Sequence, residues 1–297
     1  MPSPAVVPAS ALPALFQVAD SASVRAQRAY VGGTRRRLVM LALAAATGIV
    51  TWRLGSGHVD LLGIIGVGGF LAAILIELSL WRRRPDKIWY DGRAIAESAK
   101  TLAWKYAVGG LPFPISMPVT EATTALLDKL RRVREQFPDV ELDASTAPAI
   151  SQWMKDQRAK PFDERKDLYL NSRIKDQQQW YAAKAKYNAR RSEQWRGFLI
   201  GIEFLGAAVS LTTALVDTSL VIPPTIATIA GAVVAWIETK QHDSLSRAYS
   251  AASIDLASAA EKLQLAVTED AWTNEVDDAE EAISREHVVW LATRHRL

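Results

Sequence analysis

Two acidic residues interrupt long apolar stretches of this 297-residue sequence. Glu203 lies roughly 10 Å from the start of the stretch 197–216 at helical rise, and Glu77 lies near the end of the stretch 61–81. A carboxylate at the centre of a bilayer costs about 2.5–3.5 kcal/mol on insertion scales. Glu203 is therefore expected to face the interior of a helix bundle, where intramembrane acids commonly serve ion or proton pathways.

Two interpretations of Glu203 follow from this chemistry. It lines or gates a pore that favours cations, or it is protonated and hydrogen-bonds to a hydroxyl group of a neighbouring helix. The available hydroxyl groups for the second interpretation are those of Thr212, Thr213 and Thr225. Glu77 is a further pore or gate candidate, although its position near the end of an apolar stretch also lets it reach the membrane–water interface.

The sequence contains no recognisable arrangement for catalysis, metal binding or cofactor binding. It has no cysteine, and its four histidines lie far apart, at His58, His242, His287 and His295. The phosphate-binding loop, the zinc-protease motif and the nucleophile elbow of serine hydrolases are all missing from the sequence. A net charge of +3 does not indicate a nucleic-acid-binding protein. We therefore predict a protein that is not an enzyme and binds neither a metal ion nor a cofactor.

The elements that must position the acids are four apolar stretches, at 38–54, 61–81, 197–216 and 219–237. About 20 residues at 1.5 Å per residue match the roughly 30 Å hydrocarbon core of a bilayer. Buried helices of a soluble core are the alternative, but such helices normally carry a polar stripe, and these stretches do not. Short loops join them in pairs. The sequence predicts an all-α membrane protein with four spans in two transmembrane hairpins.

Basic residues flank the hairpins mainly on one side, and only Arg53 lies inside the first hairpin. Arginines occupy 35–37 before the first span and 82–84 after the second, and no Lys or Arg occurs between 197 and 239. The positive-inside rule then predicts that both termini and the central segment are cytoplasmic. Tryptophans suit the membrane–water interface, and four of them lie at predicted span ends: Trp52, Trp81, Trp195 and Trp236.

The segments outside the hairpins are rich in helix formers and lack the alternating pattern of strands. Long cytoplasmic helices are predicted within 86–136, 163–196 and 244–294. Residues 1–24 are interpreted as a flexible Pro/Ala-rich tail. The two halves repeat the same order of basic residues, hairpin and cytoplasmic helix, so we divide the remaining chain into units 25–160 and 161–297.

Small residues and prolines within the spans suggest how the helices pack. Gly197 and Gly201 form a GxxxG pair, and Gly69 with Ala73 forms a second small-xxx-small pair; both permit close helix approach in lipid. Two adjacent prolines, Pro223 and Pro224, lie near the start of the fourth stretch. They form a gating hinge, or they simply begin a helix after a tight loop.

Two longer motifs resemble a known family. The motif WYDGRAIAESAKTLAWKYAVGGLPF at 89–113 and the motif VDDAEEAISREHVVWLATR at 276–294 resemble the signatures of two subtypes of SLATT domain. These are two-transmembrane effector domains associated with SMODS and SLOG systems in bacteria, and the resemblance covers most of the chain as two units in tandem.

The resemblance implies a membrane effector of a bacterial conflict or anti-phage system, located in the inner (plasma) membrane. Such a protein is expected to form an oligomeric pore or to disrupt the bilayer, because four mostly apolar spans cannot enclose a wide aqueous pore in one subunit. Its activation is expected to need a nucleotide-sensing or signalling partner protein. The alternative is a non-conducting membrane scaffold that anchors a cytoplasmic partner.

The signature residues themselves have two interpretations. Arg93 and Glu97 are four residues apart, as are Glu281 and Arg285, and such pairs ordinarily stabilise a single helix by a few tenths of a kcal/mol. The family signatures suggest instead that these four residues pack subunits together beside the membrane. Three more signature residues would join them there: Trp104, Glu286 and Trp290.

Overall fold

A computed structural model describes the backbone of residues 7–52, 59–216 and 221–294, and the side chains of these ranges as far as residue 284. Over these residues the regular structure is helical and contains no β-strand. A short 3-10 helix spans Ala9–Ala11. Ten α-helices follow: α1 Ala14–Ala46, α2 Leu61–Arg83, α3 Pro85–Val108, α4 Val119–Glu135, α5 Gln152–Arg158, α6 Phe162–Tyr169, α7 Asp176–Leu215, α8 Ile222–Lys240, α9 His242–Leu265 and α10 Glu269–Arg294. A π-helical segment, Leu170–Lys175, joins α6 to α7.

The chain divides into two compact units that do not follow the sequence repeat. The core unit comprises Met1–Ala26, Asp86–Lys186 and Ser246–Leu297, and the hairpin unit comprises Gln27–Pro85 and Tyr187–Leu245. Each half of the sequence therefore contributes one apolar hairpin to the hairpin unit and polar helices to the core unit. The division at 160/161 refers to the repeat in the sequence. The compact units instead separate the apolar hairpins from the more polar helices.

The N-terminal segment is helical where the sequence suggested a flexible tail. From Leu12 onward it packs into the core unit, and Leu12, Phe16 and Ala19 are buried there. Phe16 and Ala19 are three residues apart and so share one face of α1, and Leu12 is buried just before this helix begins. This buried apolar face is the physical reason why the segment is helical. The Ser23 hydroxyl donates to the Trp89 carbonyl of α3 at 3.0 Å. Residues 1–6 of the expected tail lie outside the described residues.

Helix α3 is shared by the two apolar clusters of the core unit. One of its faces packs with α1, α4 and α5 around Ile95 and Tyr106, and another packs with α9 and α10 around Trp104. Edge-to-face aromatic contacts support the second cluster, with ring centroids 5.3 Å apart for Trp104–Trp153 and 5.6 Å apart for Tyr169–Trp272. The helices after each hairpin thus have a conventional buried core.

The hairpin unit has the opposite character, because its large apolar side chains lie mainly on the surface. Phe204, Leu75 and Leu211 are 75%, 68% and 62% exposed. Three helical stretches are long and apolar enough to cross a membrane, and they begin at Leu61, Phe162 and Ile222. Over the described residues, the helices of this unit have the exposed apolar surface and the lengths that are typical of an all-α membrane protein.

The first of the four expected spans, 38–54, is helical only as far as Ala46 in the part of the chain that the structure describes. The Thr47 hydroxyl donates to the Ala44 carbonyl at 2.7 Å, and the Gly48 N–H donates to the Ala45 carbonyl at 3.1 Å. Such tightened bonds followed by glycine are typical of a helix end. The structure therefore supports three spans by length and composition, and Arg53 and Leu54 lie outside the described residues.

Candidate functional site

Glu203 lies on the exposed surface of α7 rather than in the interior of the subunit. The less exposed positions of α7 recur every three or four residues, and they include Ile202, Gly206 and Val209. At about 100° per residue, Glu203 falls about a quarter-turn away from the centre of this face. The expectation of an inward-facing acid is therefore wrong for the single subunit. Among the described residues, none forms a hydrogen bond or an ion pair with Glu203.

The hydroxyl groups of the three threonines considered as hydrogen-bond partners of Glu203 form hydrogen bonds with other groups. Thr212 and Thr213 donate to carbonyl groups of their own helix, at 2.8 and 3.0 Å. Thr225 is buried and donates to the Ala45 carbonyl of α1 at 3.1 Å, so that it links α8 to α1. The hydrogen-bonded alternative for Glu203 is thus not realised within the subunit.

Glu77 has a different environment from Glu203. Its carboxylate lies 2.9 Å from the guanidinium of Arg37 on α1, and both side chains are partly exposed. The ion pair joins α1 to α2 beside the arginines at 35–37, within α1, and at 82–83, at the end of α2. The charge of Glu77 is therefore balanced inside the first hairpin.

The two small-residue pairs also differ in their use. A Cβ atom added at Gly69 would lie 3.0 Å from the Ala44 Cβ and 3.3 Å from the Met40 carbonyl oxygen. Ala73, one turn further along α2, is only 3% exposed. This pair therefore lets α1 and α2 approach closely. By contrast, a Cβ atom at Gly197 or Gly201 would have nothing within 4 Å, so the GxxxG face is open within the subunit.

Pro223 and Pro224 lie in the first turn of α8, directly after its first residue, Ile222. Prolines are well accommodated in this turn, because its N–H groups have no partner within the helix. Their placement corresponds to a helix start after the loop, so they interrupt no hydrogen bond in the middle of the span.

The signature residues of the core unit are partly structural. Trp104 is 2% exposed and lies edge-on to Trp153 and Tyr169. It is therefore not available to pack against another subunit, contrary to the interpretation from the family signatures. Arg93 and Glu97 form the expected pair on α3, with a nitrogen–oxygen distance of 3.8 Å. Glu281 is exposed on α10. The side chains of three other signature residues lie outside the described residues: Arg285, Glu286 and Trp290.

The glycines of the first signature bring the two halves of the chain together. Gly109 has φ +83°, a left-handed conformation that favours glycine. A Cβ atom at Gly110 would collide with the Val276 side chain of α10. The Trp272 indole N–H donates to the Val108 carbonyl at 2.8 Å, and the Thr273 hydroxyl donates to the Gly109 carbonyl at 2.9 Å. These bonds satisfy carbonyl groups at the end of α3.

Two arginines complete this connection. Arg158 donates to the carbonyl groups of Tyr106, Phe113 and Pro114 at 2.8–3.0 Å. Arg165 donates to the Val108 carbonyl at 2.6 Å and also pairs with Glu269 of α10. Side chains from several elements therefore hold the turn after α3, and no motif or spacing in the sequence singles these side chains out.

The sequence analysis also missed a fully buried ion pair. Arg173 of the π-helical segment donates two hydrogen bonds to the Glu280 carboxylate, at 2.9 and 2.7 Å, and the side chains are 1% and 0% exposed. Tyr169 and Thr101 donate to the same carboxylate at 3.1 and 2.8 Å. One sequence feature could have indicated this pair. Glu280 is four residues after the buried Val276, so it is an acid on the apolar face of α10.

Charge and burial act together in this cluster. Burial by itself lowers the pKa of Arg173, but the charge and hydrogen bonds of Glu280 outweigh it and raise the pKa above its usual value. Burial and the Glu280 charge also raise the pKa of Tyr169 well above its usual value. Both groups therefore remain donors at neutral pH.

No group of three or more acidic or histidine side chains among the described residues is arranged to hold a metal ion.

Comparison with known families explains the repeated arrangement. Residues 13–166 match the profile described as SMODS and SLOG-associating 2TM effector domain 3. Residues 169–290 match the profile described as SMODS and SLOG-associating 2TM effector domain 1. The chain belongs to the SLATT family. It carries two SLATT domains of different subtypes in tandem, which confirms the resemblance of the two signatures. No curated protein and no solved structure matches the chain.

The two SLATT domains share the structural elements in a regular way. In the hairpin unit, the first SLATT domain supplies α2 and the part of α1 that begins at Gln27, and the second supplies α8 and most of α7. The signature glycines of the first SLATT domain contact α10, which belongs to the second. Each SLATT domain thus depends on the other for part of the core unit.

Proposed function

We propose that this tandem SLATT protein is a membrane effector of a bacterial conflict or anti-phage system. In this proposal several copies assemble in the inner (plasma) membrane and form a pore or disrupt the bilayer. A partner protein or a nucleotide signal triggers the activity. The match to two-transmembrane effector domains supports the class of function, and the surface of α7 supports the mode of action.

The observation that carries the pore proposal is the exposed acid of α7. Because Glu203 is on the surface of one subunit, a lumen lined by this residue requires several subunits. The open pair Gly197 and Gly201 lies on another face of α7, since Gly201 and Glu203 are about 200° apart around the helix. One face can therefore pack closely against a neighbouring subunit while the other presents a carboxylate to passing cations.

The topology of the proposal has four spans and cytoplasmic termini. In this topology the first expected span, 38–54, crosses the membrane together with the other three. The support is that α1 packs along α2 at Gly69 and is hydrogen-bonded to α8 through Thr225. The carboxylate of Asp60 accepts hydrogen bonds from the N–H groups of Trp52 and Leu62, at 3.0 and 3.2 Å, which closes the first hairpin. The positions of the arginines support the orientation.

Ion flux from liposomes that contain the purified full-length protein tests the proposal. We expect the wild-type protein to release cations, and Glu203→Gln to lower the rate several-fold and to weaken the preference for cations. Glu193→Gln is the matched control, because Glu193 is an exposed acid of the same helix outside the apolar stretch. Equal flux and selectivity in all three proteins would contradict a pore lined by Glu203.

Activation is tested in the same assay. Candidate cyclic nucleotides and candidate partner proteins are added to the liposomes, and a rise in flux is the expected response. If every activator leaves the wild-type protein without flux, a non-conducting scaffold that anchors a cytoplasmic partner becomes the better description.

A further inference from the structure

An apolar groove of about 440 Å³ lies in the hairpin unit between α1, α7 and α8. Two of its walls have the same helical spacing, with a residue at each of the positions 35, 38, 39 and 42 of α1 and 229, 232, 233 and 236 of α8. Positions spaced in this way share one helix face. The groove is therefore about two helical turns, or roughly 10 Å, in length.

One end of the groove is polar and the rest is apolar. Arg35 and the indole rings of Trp195 and Trp236 lie at the polar end, and the two rings are in edge-to-face contact with centroids 6.4 Å apart. The Lys240 ammonium lies over the Trp236 ring, 5.6 Å from its centroid. Further along, the lining consists of aliphatic side chains and Phe198.

The charge of the groove is not balanced by the protein. No acidic residue lines it, and Arg35 is exposed without an ion pair to any of the described residues. The Trp pair indicates the depth of this end, because indole rings prefer the membrane–water interface. An occupant must therefore combine a negative group at the interface with an apolar chain that enters the membrane.

We propose that this groove binds one anionic phospholipid, with its phosphate on Arg35 and one acyl chain between α1 and α8. Basic pockets between membrane helices bind anionic lipid head groups in this manner. The volume of the groove is within the range of small-molecule sites. The inference rests on the membrane assignment and not on conduction.

Lipid retention by the full-length protein tests the site. The protein is purified from vesicles containing equal amounts of phosphatidylglycerol and phosphatidylcholine, and the retained lipids are counted by native mass spectrometry. We expect the wild-type protein to retain phosphatidylglycerol in preference to phosphatidylcholine. Arg35→Gln is expected to lower this retention about five-fold, the effect of removing one basic contact with an anionic head group.

Matched variants separate the groove from the surrounding surface. Arg82→Gln removes an exposed arginine of α2 that does not line the groove, and it should retain lipid like the wild-type protein. Ala232→Phe fills the groove and should abolish retention, whereas Ala227→Phe places the same side chain on an exposed position of α8 outside the groove. Helical content by circular dichroism verifies that each variant is folded. If Ala232→Phe does not fold, the comparison of Arg35→Gln with the wild-type protein decides the test by itself.

Three outcomes would overturn the proposal. The first is equal phosphatidylglycerol retention in wild-type protein and Arg35→Gln. The second is equal retention of the two lipids, which indicates an unspecific apolar surface. The third is a change in oligomer size for Ala232→Phe with unchanged lipid retention, which indicates that a second copy of the chain occupies the groove. Wild-type protein that retains phosphatidylglycerol but shows no ion flux with any activator would contradict the proposed pore and leave this site intact.

Discussion

The core unit and the hairpin unit treat acidic and apolar residues in opposite ways. In the core unit, Glu280 is fully buried with four hydrogen bonds, and the apolar side chains surround it. In the hairpin unit, Glu203 and the apolar side chains share the outer surface. A buried acid with complete hydrogen bonding belongs to the structure of one subunit, whereas an exposed acid in an apolar belt has its partners outside it.

The two hairpins show the same contrast on a smaller scale. The first hairpin uses its small residues internally at Gly69 and pairs Glu77 with Arg37. In the second hairpin, a Cβ atom added at Gly197 or Gly201 would have nothing within 4 Å, and Glu203 is exposed with no hydrogen bond or ion pair to the described residues. The first hairpin is therefore expected to determine the stability of the hairpin unit, and the second is expected to determine assembly and conduction.

The largest expected effect is the loss of the Glu280 charge. Glu280→Gln leaves the Arg173 guanidinium buried without a counter-charge, and such a change typically costs 3–5 kcal/mol, or ~4 kcal/mol in the middle of the range. Chemical unfolding of the protein in detergent, followed by circular dichroism, measures this loss. Glu281→Gln is the matched control, because Glu281 is the adjacent exposed acid, and its effect should stay within about 0.5 kcal/mol.

A double variant identifies the cause of that loss. Arg173→Met combined with Glu280→Leu removes both charges, and it should recover much of the stability, because apolar replacement of a whole buried pair is often neutral. If Glu280→Gln and Glu281→Gln had equal effects, the contrast between buried and exposed acids would be lost.

The next effect concerns the close contact in the first hairpin. Gly69→Val places a branched side chain against Ala44 and the Met40 carbonyl, and we expect a loss of about 1–3 kcal/mol from overpacking. The same substitution at Gly201 has open space and should change the unfolding free energy of the subunit by less than about 0.5 kcal/mol. Equal destabilisation by the two valines would show that the GxxxG face is packed within the subunit after all.

Assembly should respond to the second hairpin instead. A bulkier side chain on the open face, in Gly197→Leu or Gly201→Leu, prevents the close approach that small residues allow between membrane helices. We expect the oligomer to dissociate at a protein concentration about ten-fold higher than for the wild-type protein, an effect of about 1.4 kcal/mol. Analytical ultracentrifugation in detergent measures it, with Ala207→Leu on another part of the exposed surface of α7 as the control. An unchanged oligomer would assign assembly to another surface.

Periodicity and composition predicted the helical class and three of the four apolar spans, because these depend on patterns that extend over many residues. The family was identified separately, from the resemblance of the motifs at 89–113 and 276–294. They did not predict which face of α7 is covered, since Glu203 and Ile202 are neighbours in sequence and only the packing of Gly206 against α8 separates them. The Arg173–Glu280 pair was missed for a similar reason, because its members are 107 residues apart and neither has an unusual local sequence. The prediction of a flexible tail was wrong because it rested on the Pro/Ala-rich composition of this segment and not on the spacing of the apolar residues at the start of α1.

The smallest expected effect concerns Glu77, and it separates the two intramembrane acids. Its pair with Arg37 is partly exposed, so Glu77→Gln should cost no more than about 1 kcal/mol in unfolding experiments. Because its charge is already balanced by Arg37, the same variant should leave cation flux in liposomes near the wild-type rate, under conditions in which Glu203→Gln lowers it. A fall in flux for Glu77→Gln comparable to that for Glu203→Gln would place both hairpins at the conduction path. The first hairpin would then have to open its ion pair during activation, and Arg37→Gln would be expected to raise the flux rather than lower it.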